Sequence, residues 1–376
     1  MRRIYGPASA KNRLPQKSSL VAQTATILRE RVQAGEWHKW LPGEHELCAQ
    51  LRVARMTLRA ALEQLQRAGL VRARQGKRRE IIRPRRRPTP GVSGRVLLLM
   101  PEPLQFRPPF DAFWTNELRE ALEKGGFHLE MHADRGPYGR GTNTSLDRLL
   151  KQFRPAGSVI LSSTEKMQHW FSRRRLPCVI VGSRHPGVEL PSVDKAHRAI
   201  CRHAVGLFLA RGYRQLALIN PDSGAAGDLE SEQGFNEGVG QTHREDVQAS
   251  VVRHDGTVAD ICAKLSALFR RPGRPTGLLV SRSMNVLTVM GHLMRSSLRL
   301  PEDVALISRD YEAFLDRMVP SVACYAVSPQ SMAHRISTAV LEMAQSGLVN
   351  AANHQIMPEF RPGETFGVKP VGAPVA

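Results

Sequence analysis

From residue 95 onward, apolar runs of strand length recur with helix-like stretches between them, and this pattern restricts the fold more than any other. The runs are VLLLM (96–100), HLEMHAD (128–134), SVILSS (158–163), CVIVGS (178–183), QLALIN (215–220), VQASVVRH (247–254), GLLVS (277–281) and DVALIS (303–308). Helical patterns fill nearly every gap, for example 111–124, 195–211 and 284–298. Continuously apolar strands separated by helices belong to parallel sheets covered on both faces. Eight strands spread over about 270 residues suit two doubly wound lobes better than one sheet. The strand ends carry neither GxGxxG nor GxxxxGK, so the common nucleotide fingerprints are missing.

The first 94 residues have a different texture. They hold 21 Lys/Arg against 6 Asp/Glu, whereas the remaining 282 hold 33 against 28. Most of the +20 formal charge therefore sits in the N-terminal quarter, which implies a polyanionic partner for that quarter. Residues 1–17 read as a basic flexible tail. Val21, Ala25, Leu28 and Val32 follow at helical spacing up to Gly35, a natural stop. A second helix is expected from Glu44, behind Gly43 in the N-cap place, and a third over 54–68, closed by Gly69. The third has Leu58, Ala61, Leu62 and Leu65 on its apolar face, which leaves Arg55, Thr57 and Arg59 free to point elsewhere. Residues 70–74 and 80–83 flank Gly76 and suit a β-hairpin. Three helices and a hairpin make a winged helix-turn-helix over 18–83. The stretch PRRRPTPGVSG (84–94) then reads as a linker.

This first domain resembles the GntR family of winged-helix transcription factors. The residues that carry the likeness are Leu41-Pro42-Gly43-Glu44-His45-Glu46-Leu47, Val53-Ala54-Arg55-Met56-Thr57-Leu58-Arg59-Ala60-Ala61-Leu62 and Gly69-Leu70-Val71. The family writes these as LPSERELA, VSRxTVRxAL and EGLV. Gly43 replaces the capping Ser, His45 the phosphate-binding Arg, and Gly76-Lys77-Arg78-Arg79-Glu80 the usual GxGTF wing. The resemblance implies that His45, Arg55, Met56, Thr57, Arg59, Lys77, Arg78 and Arg79 meet double-stranded DNA. A helix in the major groove presents its first turns to base edges, and Arg forks onto guanine O6 and N7. Arg55 and Arg59, four apart, are the expected base readers. Thr57 suits a phosphate or a thymine methyl, and Lys77, Arg78 and Arg79 suit phosphate or minor-groove contact.

Residues 95–369 resemble the LacI/GalR type of ligand-sensing domain, akin to periplasmic binding proteins. The carriers are Val193-Asp194, Gly212-Tyr213-Arg214-Gln215-Leu216-Ala217, Gly234-Phe235, Pro301-Glu302-Asp303-Val304 and Asp310. The combination is similar to the arabinose-repressor subgroup. It implies lobe one over about 95–193 plus 325–355, lobe two over about 194–324, and a short tail over 370–376. An effector would sit between the lobes at the carboxyl ends of strands. The family's anchors are mostly replaced. Ser162 stands for an Asn, Gly182 for a carboxylate, Ser231 for an Arg, Arg282-Ser283 for an Asn-Asp pair and Val327 for a Gln, while Asp310 survives. Phe106 and Phe110 complete the expected effector set, although Phe106, Phe110 and Trp114 also fit a core. A neutral sugar loses its usual anchors here, and Arg282 as a new cation favours a sugar acid or a phosphate, the alternative being that Arg282 only pairs with a surface carboxylate and the cleft binds nothing small.

No enzyme is expected. Ser183 and His185 share a loop without a GxSxG elbow or a third triad member. His128, Glu130 and His132 alternate on a strand and suit the polar face of a sheet edge better than a metal site. No cofactor is expected. The five cysteines show no CxxC spacing, the basic N-terminus has no apolar signal core, and no run reaches membrane length. The expectation is a cytoplasmic homodimer that binds an inverted-repeat operator and acts as a ligand-responsive repressor. The alternative is a small-molecule-binding protein or enzyme of the same fold with an accessory nucleic-acid-binding domain.

Overall fold

The computed structural model describes residues 20–33, 37, 40–67, 70–73, 79–81, 94–241, 244–346 and 351–367. The chain divides into two compact units, Met1–Arg85 and Arg86–Ala376.

In the first unit, helix α1 (Leu20–Gln33) is followed by α2 (Glu44–Leu51) and α3 (Arg55–Arg67). A short antiparallel pair follows, β1 (Val71–Arg72) with β2 (Glu80–Ile81). The expected apolar stripe is the core. Ala25, Leu28 and Val32 of α1 pack on Leu47 of α2 and on Leu58, Ala61, Leu62 and Leu65 of α3, closed by Val71 and Ile81. Gly43 occupies the α2 N-cap with extended backbone and supplies no side-chain bond. Arg52, at φ 51°, makes the left-handed turn that lets α3 start after a three-residue turn from the end of α2. Gly35, Gly69, Gly76, Lys77 and Arg78 lie outside the described residues, as do the basic tail, most of the linker and the C-terminal tail.

The second unit has two six-stranded sheets. Lobe one takes β3 (Arg95–Met100), β4 (His128–Ala133), β5 (Gly157–Leu161), β6 (Cys178–Val181), β7 (Ser192–Lys195) and β13 (Asn353–Ile356), in the spatial order β13-β7-β6-β5-β3-β4, all parallel. Its faces are covered by α4 (Pro109–Lys124) and α11 (Pro329–Ser346) on one side, and by α5 (Thr142–Phe153) and α6 (Glu165–Arg173) on the other. Odd and even residues of β3 divide between the two cores: Val96 and Leu98 lie in one, Leu97 and Leu99 in the other.

Lobe two takes β8 (Gln215–Pro221), β9 (Gln248–His254), β10 (Gly277–Val280), β11 (Ala305–Ser308), β12 (Ala323–Ala326) and β14 (Glu359–Arg361), ordered β14-β12-β11-β10-β8-β9. It is parallel except for β14, which runs antiparallel to β12. Helices α7 (His197–Ala210) and α8 (Ala226–Gly240) cover one face, α9 (Val258–Phe269) and α10 (Ser283–Arg295) the other.

All eight apolar runs are strands. Four further strands carry little signal because they are three or four residues long. They also change the expected lobe boundaries. β12 stays whole in lobe two, where a break at 325 was expected, and β7 keeps lobe one until Lys195. After β13 the chain crosses once more, and β14 closes the edge of the lobe-two sheet. The expected two-part lobe one is thus joined by a two-part lobe two.

Candidate functional site

Two polar constellations stand out, one in each unit. In the first, the start of α3 is exposed. The side chains of Arg55 and Arg59 are 69% and 47% accessible, Met56 is exposed, and Thr57 is half-buried one residue on. One carboxylate organises the arginines. Glu44, the first residue of α2, accepts at Oε2 from Nε of Arg55 (3.2 Å) and Nε of Arg59 (2.9 Å). Its Oε1 accepts from Arg79 at 2.9 Å. Burial alone would raise the Glu44 carboxyl, but hydrogen bonds from Arg79, Arg59 and Arg55 outweigh it and hold the group at about 2. Arg79 is not a loose wing cation. Its side chain is only 21% accessible, and its carbonyl accepts from the Leu41 amide at 2.9 Å. His45 is exposed on the first turn of α2.

The second constellation lies at the carboxyl ends of the strands in the second unit, where the lobes face one another. On the lobe-one side, Arg107 donates to Asp111 (2.8 Å) and to Ser162 Oγ (3.1 Å). Ser162 (φ 52°) and Gly182 (φ 135°) both hold left-handed backbone just after β5 and β6. A non-glycine residue in that region costs of order 1–3 kcal/mol and is typical of functional loops. Ser183 Oγ lies 2.7 Å from Asp194 and 3.1 Å from Glu230 of lobe two. One hydroxyl hydrogen cannot serve both carboxylates. Burial pushes the Glu230 carboxyl up, while the Ser183 contact and the nearby His197 pull it back.

On the lobe-two side, Asp228 and Arg309 form the buried centre. The Arg309 side chain is 4% accessible and meets Asp310 (3.0 Å), Asp228 (3.4 Å) and Ser231 Oγ (2.6 Å). Asp228 also accepts from Arg282 at 2.7 Å and from Ser223 at 2.6 Å. Burial favours neutral groups throughout, yet Asp228 and Asp310 are held below the usual carboxylate range because Arg282, Arg309 and Lys195 surround them. Arg309 is kept protonated by Asp310 and Asp228 against the same desolvation. Glu312 differs. Burial raises it, Lys195 and the Phe110 amide pull it down, Asp111 and Asp310 push it up, and it comes to about 7.

Several expectations are redrawn by these contacts. Arg282 is not an unpaired cation, because it donates to Asp228, a carboxylate it shares with Arg309. Ser231 accepts from Arg309, so a guanidinium does reach that place from a different strand end. Asp310 pairs with Lys195 and Arg309. Phe110 is half-buried with the Lys195 ammonium 5.3 Å from its ring centre, whereas Phe106 is 69% exposed. Ser283 is buried at the start of α10, and Trp114 belongs to the core. Sequence reading missed Glu44, Asp228, Arg309 and Glu312. Glu44 stood in the GntR-like motif, and Arg309 and Glu312 flank Asp310; Asp228 carried no such signal. Ser183 and His185 form no pair: the His185 amide instead donates to Gln168 Oε1. His128, Glu130 and His132 lie on the edge strand β4, and no group of metal-binding side chains occurs among the described residues.

The model of the gntR family of bacterial regulatory proteins matches residues 12–81, and that of a periplasmic binding protein-like domain matches residues 205–366. Among solved structures, the transcriptional regulator CelR in its cellobiose complex is 19% identical, over 93% of this chain and 100% of that one, with a TM-score of 0.63. A LacI family transcriptional regulator from Bifidobacterium animalis subsp. lactis is 13% identical over 74% and 100%, with a TM-score of 0.64. One from Silicibacter pomeroyi is 16% identical over 72% and 98%, with a TM-score of 0.61. At these identities the likeness is one of fold. No match was found among curated proteins.

Proposed function

We propose that this chain, a gntR-family DNA-binding domain followed by a periplasmic-binding-protein-like domain, is a cytoplasmic, ligand-responsive transcriptional repressor. The observation that carries the reading is the exposed cationic start of α3 in a fold whose third helix reads the major groove. Arg55 and Arg59 read bases. Thr57, Met56 and His45 lie beside them for phosphate or methyl contact, and Lys77 and Arg78 meet the backbone. No helix among the described residues is long and apolar enough to cross a membrane.

The protein works as a homodimer on an inverted repeat, since one reader of this size buries too little DNA surface for useful specific affinity. An effector binds between the lobes and favours one lobe arrangement over another, which alters the spacing of the two readers. Each of Arg107, Lys195, Arg282 and Arg309 already faces a carboxylate, although the last three share two, Asp228 and Asp310, so the cleft offers an anion no unpaired cation among these four. Glu230 and Glu312 have no ion-pair partner among the described residues, so a ligand rich in O–H or N–H donors suits the site. The cellobiose bound to the fold relative CelR is of that chemistry.

The test is a selection from duplexes with a randomised 30-base-pair centre, using the full chain, with sedimentation of the protein on the selected duplex. Enrichment of a two-fold-symmetric motif bound by two chains is expected. Binding without sequence preference would overturn the reading.

A further inference from the structure

The carboxylate of Glu44 touches three arginines, the two recognition arginines and Arg79. Arg55 and Arg59 each give it their Nε–H, on the same oxygen, while Arg79 takes the other oxygen. A guanidinium has two edges that can make a fork: the side edge, which includes Nε–H, and the end edge formed by the two terminal nitrogens. Once Nε is engaged, only the end edge is free. Each guanidinium therefore keeps one fork for a partner.

We infer that Glu44 is the positioning residue of DNA recognition, holding Arg55 and Arg59 by their Nε atoms so that their end edges meet guanine, and keeping Arg79 from phosphate. Two consequences follow from the geometry. Flexible arginines otherwise lose rotamer freedom on binding, and fixing them beforehand lowers that cost for the matched base alone. A negative charge beside three cations also weakens attraction to any phosphate backbone, whatever the sequence. Both effects act on the ratio of specific to non-specific affinity. The inference rests on the proposal that Arg55 and Arg59 read bases.

The experiment uses the full chain, the duplex recovered by selection, and a random-sequence duplex of equal length. Glu44→Gln keeps the shape and removes the charge. Its affinity for the selected duplex is expected to fall while that for random duplex rises. The ratio should drop about tenfold or more, and the salt dependence on random duplex should steepen by about one phosphate contact as Arg79 is released. Glu44→Asp, one methylene shorter, should retain part of the ratio. In an Arg59→Ala background, Glu44→Gln should lower the ratio much less, because the residue acts through Arg59.

Equal losses on both duplexes would show that Glu44 merely supports the fold, and an unchanged ratio would show that it does not position the readers. Either result overturns the inference and leaves base reading intact, provided that Arg59→Ala alone lowers the ratio. If Arg59→Ala leaves the ratio unchanged, base reading itself fails and this inference falls with it.

Discussion

Lys195, the last residue of β7 in lobe one, places its ammonium 2.6 Å from Asp310 Oδ1 in lobe two. The same carboxylate is gripped on its other oxygen by the buried Arg309. The two sides of Asp310 thus have different jobs: one ties the lobes together and the other holds lobe two.

The variants should separate accordingly. Lys195→Met leaves Asp310 paired with Arg309, so it should cost less than about 2 kcal/mol of stability and mainly loosen the lobes. Asp310→Ala strips a nearly inaccessible guanidinium of its closer carboxylate, and about 3–5 kcal/mol is expected. Urea melts give the stabilities and small-angle scattering reads the lobe separation. Equal costs in both variants would contradict this division.

The burial of Glu312 should make the stability of the second unit pH-dependent. Its carboxyl, ordinarily near 4.5, is raised to about 7. A raised acid costs nothing while protonated, so no penalty exists below about pH 4.5. The penalty grows between 4.5 and 7 and is complete above 7. Glu312→Gln can still accept from the Phe110 amide and avoids the charge. It should match the parent near pH 4.5 and exceed it at pH 8, by up to about 3 kcal/mol. A difference curve that is flat across this range would show that Glu312 does not carry the effect.

Ligand chemistry follows from the paired cations. Calorimetry with neutral polyols and sugars, amino sugars and sugar acids should give measurable heats for the first two classes and none for the acids. An added anion meets Asp111, Asp228, Asp310 and Glu312, and Arg282 already donates to Asp228. Micromolar binding of a sugar acid would refute this and restore Arg282 as a free anion contact.

Gly234 fixes the close contact of α7 and α8. A Cβ there would lie 2.0 Å from the Arg198 carbonyl oxygen, which belongs to the backbone and cannot swing aside. Gly234→Ala should force the helices apart and cost about 1–3 kcal/mol or more. Gly206 sits in α7 with nothing within 4 Å of the corresponding position. Gly206→Ala should therefore stabilise by about 0.5–1 kcal/mol through helix propensity alone. Thermal melts of the two variants should shift in opposite directions.

The reach of the sequence and the share of the tertiary structure can be separated on particular residues. The stripe Ala25, Leu28 and Val32, and the face Leu58, Ala61, Leu62 and Leu65, were legible because helical periodicity is a local property. Six of the eight apolar strands were legible because a buried parallel strand is apolar along its length, and the edge strands β4 and β9 because part of each run is still apolar. The third lobe crossing was not, because β14 is three residues, too few to carry a period.

Side-chain partners lie a further step away. Arg282 and Asp228 are 54 residues apart, Arg309 and Ser231 are 78, and Glu44 and Arg79 are 35. Nothing local in the chain pairs them; they meet only because strand ends converge at one edge of a sheet, or because a hairpin folds back on a helix. The charges were visible in the sequence, and so was the polyanionic partner they imply. Which charges remain free to act, and which are neutralised within the fold, depends on burial and on distances of a few ångströms that only the packed chain sets.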